Sequence, residues 1–153
     1  MATMVGAVTN GGTRYASHLL LYVKEYGSDE IYYAYEPTIK DSIEISEEHL
    51  KAIKTGMWGV TETGGSGAVL DFPVGVGAKT GTAQTGKPSS NGTFVAFAPY
   101  NQPEISMAVV IEQGAKGTWA GFATEYVFDY IFGSVTYNQA MGLPDEPETS
   151  GTP

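Results

Sequence analysis

The sequence predicts an α+β fold, an antiparallel sheet with helices packed on it. Three observations carry this. Along the chain the periodicities run helix, hairpin, helix, three strands, helix. Two apolar runs, 93–98 and 104–112, are separated only by Pro99-Tyr100-Asn101-Gln102-Pro103. So short a connection makes them an antiparallel hairpin. Twenty glycines and ten tyrosines in 153 residues favour sheet and turns over a helical bundle. The length fits one domain or part of a larger one. A 42% hydrophobic and 12% aromatic content is enough to build a core.

Residues 1–10 place Met1, Met4, Val5 and Val8 at helical spacing, and Asn10-Gly11-Gly12 closes the segment with residues that tolerate positive φ. A helix that begins uncapped at residue 1 reads as cut from something longer. Leu19–Val23 and Ile31–Tyr35 flank Tyr26-Gly27-Ser28-Asp29 and predict a β-hairpin with its tyrosines on a half-buried face. Ser46 is placed to cap a helix over 46–62. Glu47 and Glu48 sit in its first turn, and Leu50, Ile53, Met57 and Val60 form its apolar stripe. Gly64-Gly65-Ser66-Gly67 ends it.

A turn through Leu70-Asp71-Phe72-Pro73, with Asp71 in a structural role, leads to a strand over 75–82. Period-2 alternation puts Ala78, Thr80 and Thr82 on one side and Gly77, Lys79 and Gly81 on the other. The run 105–111 is the most apolar in the chain and is expected to be a central strand. Thr118 is expected to cap a closing helix to about Phe132. Trp119, Phe122, Tyr126, Val127 and Tyr130 recur there at three- and four-residue spacing, and Gly133 stops it. The folded portion is thus 1–133, and 134–153, acidic and Pro-containing, is expected to be a disordered tail.

Composition excludes several function classes. Net charge is −9, from 17 acids against 8 scattered bases, so no basic stripe exists for a nucleic acid backbone. There is no cysteine, which removes disulfides, thiolate metal sites and a cysteine nucleophile. His18 and His49 lie on different elements without a ligand-spaced partner, so no metal site is expected. Trp58 and Trp119 read as packing residues. No apolar run reaches the roughly 18 residues of a membrane span, and no basic region precedes an apolar core at the N-terminus. The chain is expected to be soluble, without anchor or signal.

The chemistry-bearing stretch is Gly75-Val76-Gly77-Ala78-Lys79-Thr80-Gly81-Thr82-Ala83-Gln84. Lys-Thr-Gly occurs twice. Lys54-Thr55-Gly56 lies inside the helix over 46–62, where side chains fan out and cannot converge. Lys79-Thr80-Gly81-Thr82 lies on a strand, where two hydroxyls about 7 Å apart on one face can reach a single carboxylate. Gly81 leaves room for a ligand backbone along the strand edge. Gly81-Thr82-Ala83-Gln84-Thr85-Gly86-Lys87 also matches part of a phosphate-binding loop. Pro88 stands where Ser or Thr should bind Mg²⁺, and a strand follows instead of a helix.

In this context the sequence resembles the C-terminal part of the transpeptidase domain of penicillin-binding proteins, most like the class B type, up to about Gly133. The marks are Val8-Thr9-Asn10-Gly11-Gly12 after a helix, Gly56-Met57 with Val60, and Gly77-Ala78-Lys79-Thr80-Gly81-Thr82-Ala83-Gln84. Phe97-Ala98-Pro99, Pro103-Glu104-Ile105 and Val110-Ile111-Glu112 follow. Lys79 to Gln84 is the most specific part. The resemblance implies an incomplete penicillin-binding and serine β-lactamase-like fold, and a parent that cross-links peptidoglycan by serine acyl transfer, without a cofactor. It implies that Lys79 completes the proton and electrostatic network and that the Thr82 N–H is an oxyanion-hole donor. It also implies that Thr80 and Thr82 hold the carboxylate of a stem peptide or β-lactam, with Gln84 and the loop to Gly92 lining the cleft mouth.

That family pairs Lys-Thr-Gly with Ser-x-x-Lys and Ser-x-Asn. No serine here has lysine three residues later. The one Ser-x-Asn, Ser89-Ser90-Asn91, follows the Lys-Thr-Gly instead of preceding it and reads as a solvated turn. The nucleophile is therefore expected upstream of Met1, in a parent anchored to the membrane with this domain outside it. The chain alone is expected to be inactive. It is also expected to self-associate through surface that the rest of the domain would cover. The alternative is a non-catalytic module that binds a carboxylate-bearing peptide at the same strand edge.

Overall fold

A computed structural model of the chain describes residues 1–133, 135–140 and 142–144. The elements are α1 (Ala2–Thr9), β1 (Thr13–Tyr15), β2 (Tyr22–Lys24), β3 (Ile31–Ala34), β4 (Ile39–Ser42), α2 (Glu47–Trp58), β5 (Gly77–Ala83), β6 (Asn91–Ala98), β7 (Ile105–Ile111), α3 (Gly117–Phe132) and α4 (Tyr137–Ala140). The architecture is α+β.

The principal sheet is an antiparallel meander in the order β5-β6-β7. Its central strand is therefore β6, and the apolar β7 lies at an edge, contrary to expectation. The reason is that both faces of β7 are covered, by α1 and by α3. A continuous apolar run reports covered faces and not the number of neighbouring strands. Register puts Ala78, Ala96 and Met107 in one row and Thr80, Phe94 and Val109 in the next, on a common face. Lys79, Val95 and Ala108 share the opposite face.

The first face receives α3. Leu70, Val76, Ala78, Phe94, Ala96, Ala98, Ala120 and Phe128 form the buried core there. The second face receives α1, where Ser106 Oγ donates to Ala2 O at 3.1 Å. The buried residues of α3 are Gly117, Ala120, Gly121, Thr124 and Phe128. Of the expected stripe, Trp119, Tyr126 and Tyr130 point outward, Trp119 being 58% exposed, while Phe122 packs against the core. Close approach decides this: a Cβ at Gly121 would lie 2.6 Å from Leu70 Cδ1. Small residues let the helix lie on the sheet, so most of the large residues at helical spacing mark the outer face. Thr118 does not cap α3. The N-cap is Lys116, in extended conformation and without a side-chain cap bond.

Helix α2 begins as expected, with Ser46 Oγ accepting from the His49 N–H at 3.3 Å. It ends at Trp58 rather than 62, and Gly59 is its C-cap. Trp58 tilts against Tyr100 with ring centroids 4.6 Å apart. The hairpin β2–β3 forms with Tyr22 opposite Ala34. Every residue of both strands is exposed, so the expected half-buried tyrosine face is absent. A two-stranded ribbon has no second layer of its own. Tyr35, just beyond β3, stacks on His18 at 3.5 Å and donates to Ala16 O at 3.1 Å. The pair β1–β4 was not legible in the sequence. It is three and four residues long and is clasped by Arg14, whose guanidinium bonds the Asp41 carboxylate and holds its pKa below the usual range. Within the expected tail, 137–140 form a helical turn, and 145–153 lie outside the described residues.

Asp71 is held through its backbone and lies in irregular chain instead of the expected turn. Its N–H donates to Glu125 Oε2 at 3.2 Å. Burial pushes the Glu125 carboxyl up; this bond lowers it in part, and repulsion from Asp129 and Asp71 adds to the rise. Burial and Asp71 push Asp129 up as well. An acid whose folded pKa is raised is penalised when ionised. Its cost is full at neutral pH and disappears as pH falls through the raised value toward the unfolded one. Glu125→Gln keeps an acceptor for the Asp71 N–H and removes the charge. Its melting temperature should exceed the parent's at neutral pH, by a margin that shrinks toward about pH 4. A loss of stability at neutral pH would contradict this.

Candidate functional site

The Lys79–Thr82 stretch lies on β5, which pairs with β6 on one side only. Its other edge is open among the described residues, so alternate backbone N–H and C=O groups point away from the sheet. Thr80 is opposite Phe94 and Thr82 opposite Gly92, so both hydroxyls share the α3 face as the alternation predicts. Thr80 is half-buried and Thr82 exposed. Lys79, on the other face, is exposed, and its Nζ donates to Thr80 O at 2.6 Å. Gln84 follows the end of β5 and is exposed.

The loop after α2 adds a contact that the sequence did not show. Ser66 Oγ lies 2.7 Å from Thr80 Oγ1. Fourteen residues separate the two, and no periodicity links them. Gly81 is bare for reasons internal to the fold. A Cβ there would lie 2.3 Å from Thr93 Oγ1, its cross-strand partner. On the α3 side, Gly117 approaches the Gly81 and Thr93 backbones so closely that its own Cβ would meet them. The first residue of α3 thus rests on the β5–β6 strand pair at Gly81 and Thr93.

Ser89-Ser90-Asn91 is not a free solvated turn. Asn91 opens β6, and its Oδ1 accepts from the Gln113 N–H at 3.0 Å. The Ser90 carbonyl accepts from the Ala115 N–H at 2.9 Å. These bonds brace the turn before α3, where Gln113 and Ala115 hold positive φ of 54° and 60°. Lys54, from the second Lys-Thr-Gly, lies inside α2 as expected. Its Nζ sits over the rings of Phe97 and Tyr100, 5.9 and 5.8 Å from their centroids, a packing role. Among the described residues no three His, Cys, Asp or Glu side chains could hold a metal together. No helix of the described residues is long and apolar enough to cross a membrane.

The family model described as "Penicillin binding protein transpeptidase domain" matches residues 1–133. The chain belongs to this family. Penicillin-binding protein H of Bacillus subtilis is 33% identical over 125 residues, which is 72% of this chain and 18% of that protein. Peptidoglycan D,D-transpeptidase MrdA of Escherichia coli K12 is 28% identical over 150 residues, 86% of this chain and 23% of that protein. Among solved structures, the D,D-transpeptidase domain of a peptidoglycan glycosyltransferase from Eggerthella lenta superposes with a TM-score of 0.68 at 26% identity. That match covers 81% of this chain and 29% of that one. The chain therefore spans about a fifth of the relatives' length. Its fold is an incomplete penicillin-binding transpeptidase fold, and the Lys79–Gln84 stretch falls inside the matched segment.

Proposed function

We propose that residues 1–133 are the C-terminal portion of a peptidoglycan D,D-transpeptidase domain, with 134–153 lying outside it. The observation that carries this is β5: a Lys-Thr-Gly-Thr strand with an open edge and two hydroxyls on one face, within a chain of this family. In this proposal Thr80 and Thr82 donate to the carboxylate of a stem peptide or β-lactam. Lys79 supplies positive charge and a proton relay, and the Thr82 N–H is one oxyanion-hole donor. Losing one such donor typically costs about 10²–10³ in rate. Gln84 lines the cleft mouth.

The serine nucleophile, its lysine and the second motif come from the remainder of the domain, in a parent anchored with this domain outside the cytoplasmic membrane. The chain alone is inactive, because without the serine there is no covalent path. Exposed Met1, Met4, Trp119 and Tyr130 belong to surfaces that the remainder covers. Uncovered, they drive self-association. No Ser-x-x-Lys occurs in these 153 residues. That absence favours one second reading, a carboxylate-binding module without chemistry.

A labelled penicillin decides between the two. The chain alone should form no covalent adduct. The longer chain, extended through the preceding coding sequence, should form one stoichiometrically. An adduct on the short chain would overturn the missing nucleophile, and none on the longer chain would favour the non-catalytic module.

A further inference from the structure

We propose that Ser66 is a positioning residue for Thr80, one that fixes the direction in which the Thr80 hydroxyl presents its proton to a bound carboxylate. This rests on the carboxylate-binding role given to β5 above, and it adds a residue that the Lys79–Gln84 stretch does not contain.

Proton count carries the inference. The two hydroxyl oxygens are 2.7 Å apart, and either could donate. Each hydroxyl has one proton and can also accept. A carboxylate can only accept. Once Thr80 donates to a carboxylate, its proton is spent, and the contact with Ser66 survives only with Ser66 as donor. The bound order is then Ser66 O–H to Thr80 Oγ1, and Thr80 O–H to the carboxylate. Chained in one direction, each bond polarises the next. The bond to a charged acceptor is also the stronger kind.

The loop is built to hold Ser66 in place. The Gly65 N–H donates to Glu62 O and the Gly67 N–H to Val60 O, both at 2.8 Å. Gly64 takes a positive φ of 87°. A Cβ at Gly65 would lie 2.3 Å from Val60 O. Ser66 is therefore pinned on both sides by the segment after α2, and its hydroxyl reaches across to a β-branched residue with a stiff χ1. Such a fixed donor costs little to order when ligand binds.

The test titrates the ¹⁵N-labelled chain with benzylpenicillin, read at the Gly81 and Thr82 amides, with the penicillin methyl ester as control. The parent chain should show saturable shifts with the acid and none with the ester. Ser66→Ala should weaken binding about three- to tenfold while its melting temperature confirms folding. Ser66→Thr, which keeps the hydroxyl, should restore binding. In a Thr80→Val background, Ser66→Ala should change nothing further. Equal binding by parent and Ser66→Ala overturns the role of Ser66 and leaves the carboxylate site standing. Failure of Ser66→Thr to rescue reduces Ser66 to a loop staple. No acid-specific shift in the parent chain overturns the carboxylate site itself, and Ser66 with it.

Discussion

Gly117→Ala is expected to lift α3 off the β5–β6 strand pair and to cost about 3 kcal/mol or more. The added Cβ would lie 2.6 Å from both Gly81 O and Thr93 O, and 2.8 Å from Gly81 N. All three are backbone atoms in paired strands, so none can rotate aside. Alanine favours helix over glycine by about 1 kcal/mol, which is too small to offset the clash. The site should respond along with the stability, because Gly81 sits between Thr80 and Thr82. Urea unfolding gives the loss, and amide shifts at Gly81 and Thr93 report the displacement. A control within α2 sharpens the result. A Cβ at Gly56 meets nothing within 4 Å, so Gly56→Ala should be neutral or stabilising by up to about 1 kcal/mol. Equal behaviour of the two variants would mean that α3 does not rest on Gly81.

Phe94→Ala is expected to cost about 3–5 kcal/mol. Phe94 is fully buried at the middle of the central strand, between Thr80 and Val109 in the same row. Its ring lies beside Phe72, at a centroid distance of 6.4 Å, and under Gly121. Removing it deletes the apolar transfer term and leaves a cavity that strands on either side and α3 above cannot close. Domain stabilities are about 5–15 kcal/mol, so the variant should be partly unfolded or nearly so. The urea midpoint measures it, and a loss under about 1.5 kcal/mol would place the core elsewhere. Phe94→Leu, which fills most of the space, should lose much less.

The sequence showed what local chemistry dictates. The Ser46 cap, the alternation over 77–82 and the short Pro99–Pro103 connection each act through neighbouring residues, and each element forms where they place it. What failed depends on partners distant in sequence. β7 looked central because α1 and α3 cover its faces. α3 presented its large residues as a stripe, yet the sheet needed Gly117, Ala120 and Gly121 against it. The hairpin tyrosines had strand chemistry but nothing above them. At the site, Lys79 to Gln84 were legible as a motif, and Thr80 and Thr82 do share a face. Ser66 was legible only as part of a helix stop, because a glycine-rich turn carries no sign of what its one hydroxyl will touch.

The position of the core along the chain has a kinetic side. All eight residues of the buried cluster lie between Leu70 and Phe128, on the segment leading into the meander, the meander itself and the helix that follows it. Their contacts close through short connections, and loop-closure entropy grows only slowly with length. α1 is different. Its bond from Ser106 to Ala2 spans 104 positions. Contacts of such separation raise the contact order without adding to the cluster. The entropic cost of closing this chain therefore falls mainly on α1, while the strand that bears Thr80 and Thr82 assembles almost entirely from its own neighbours.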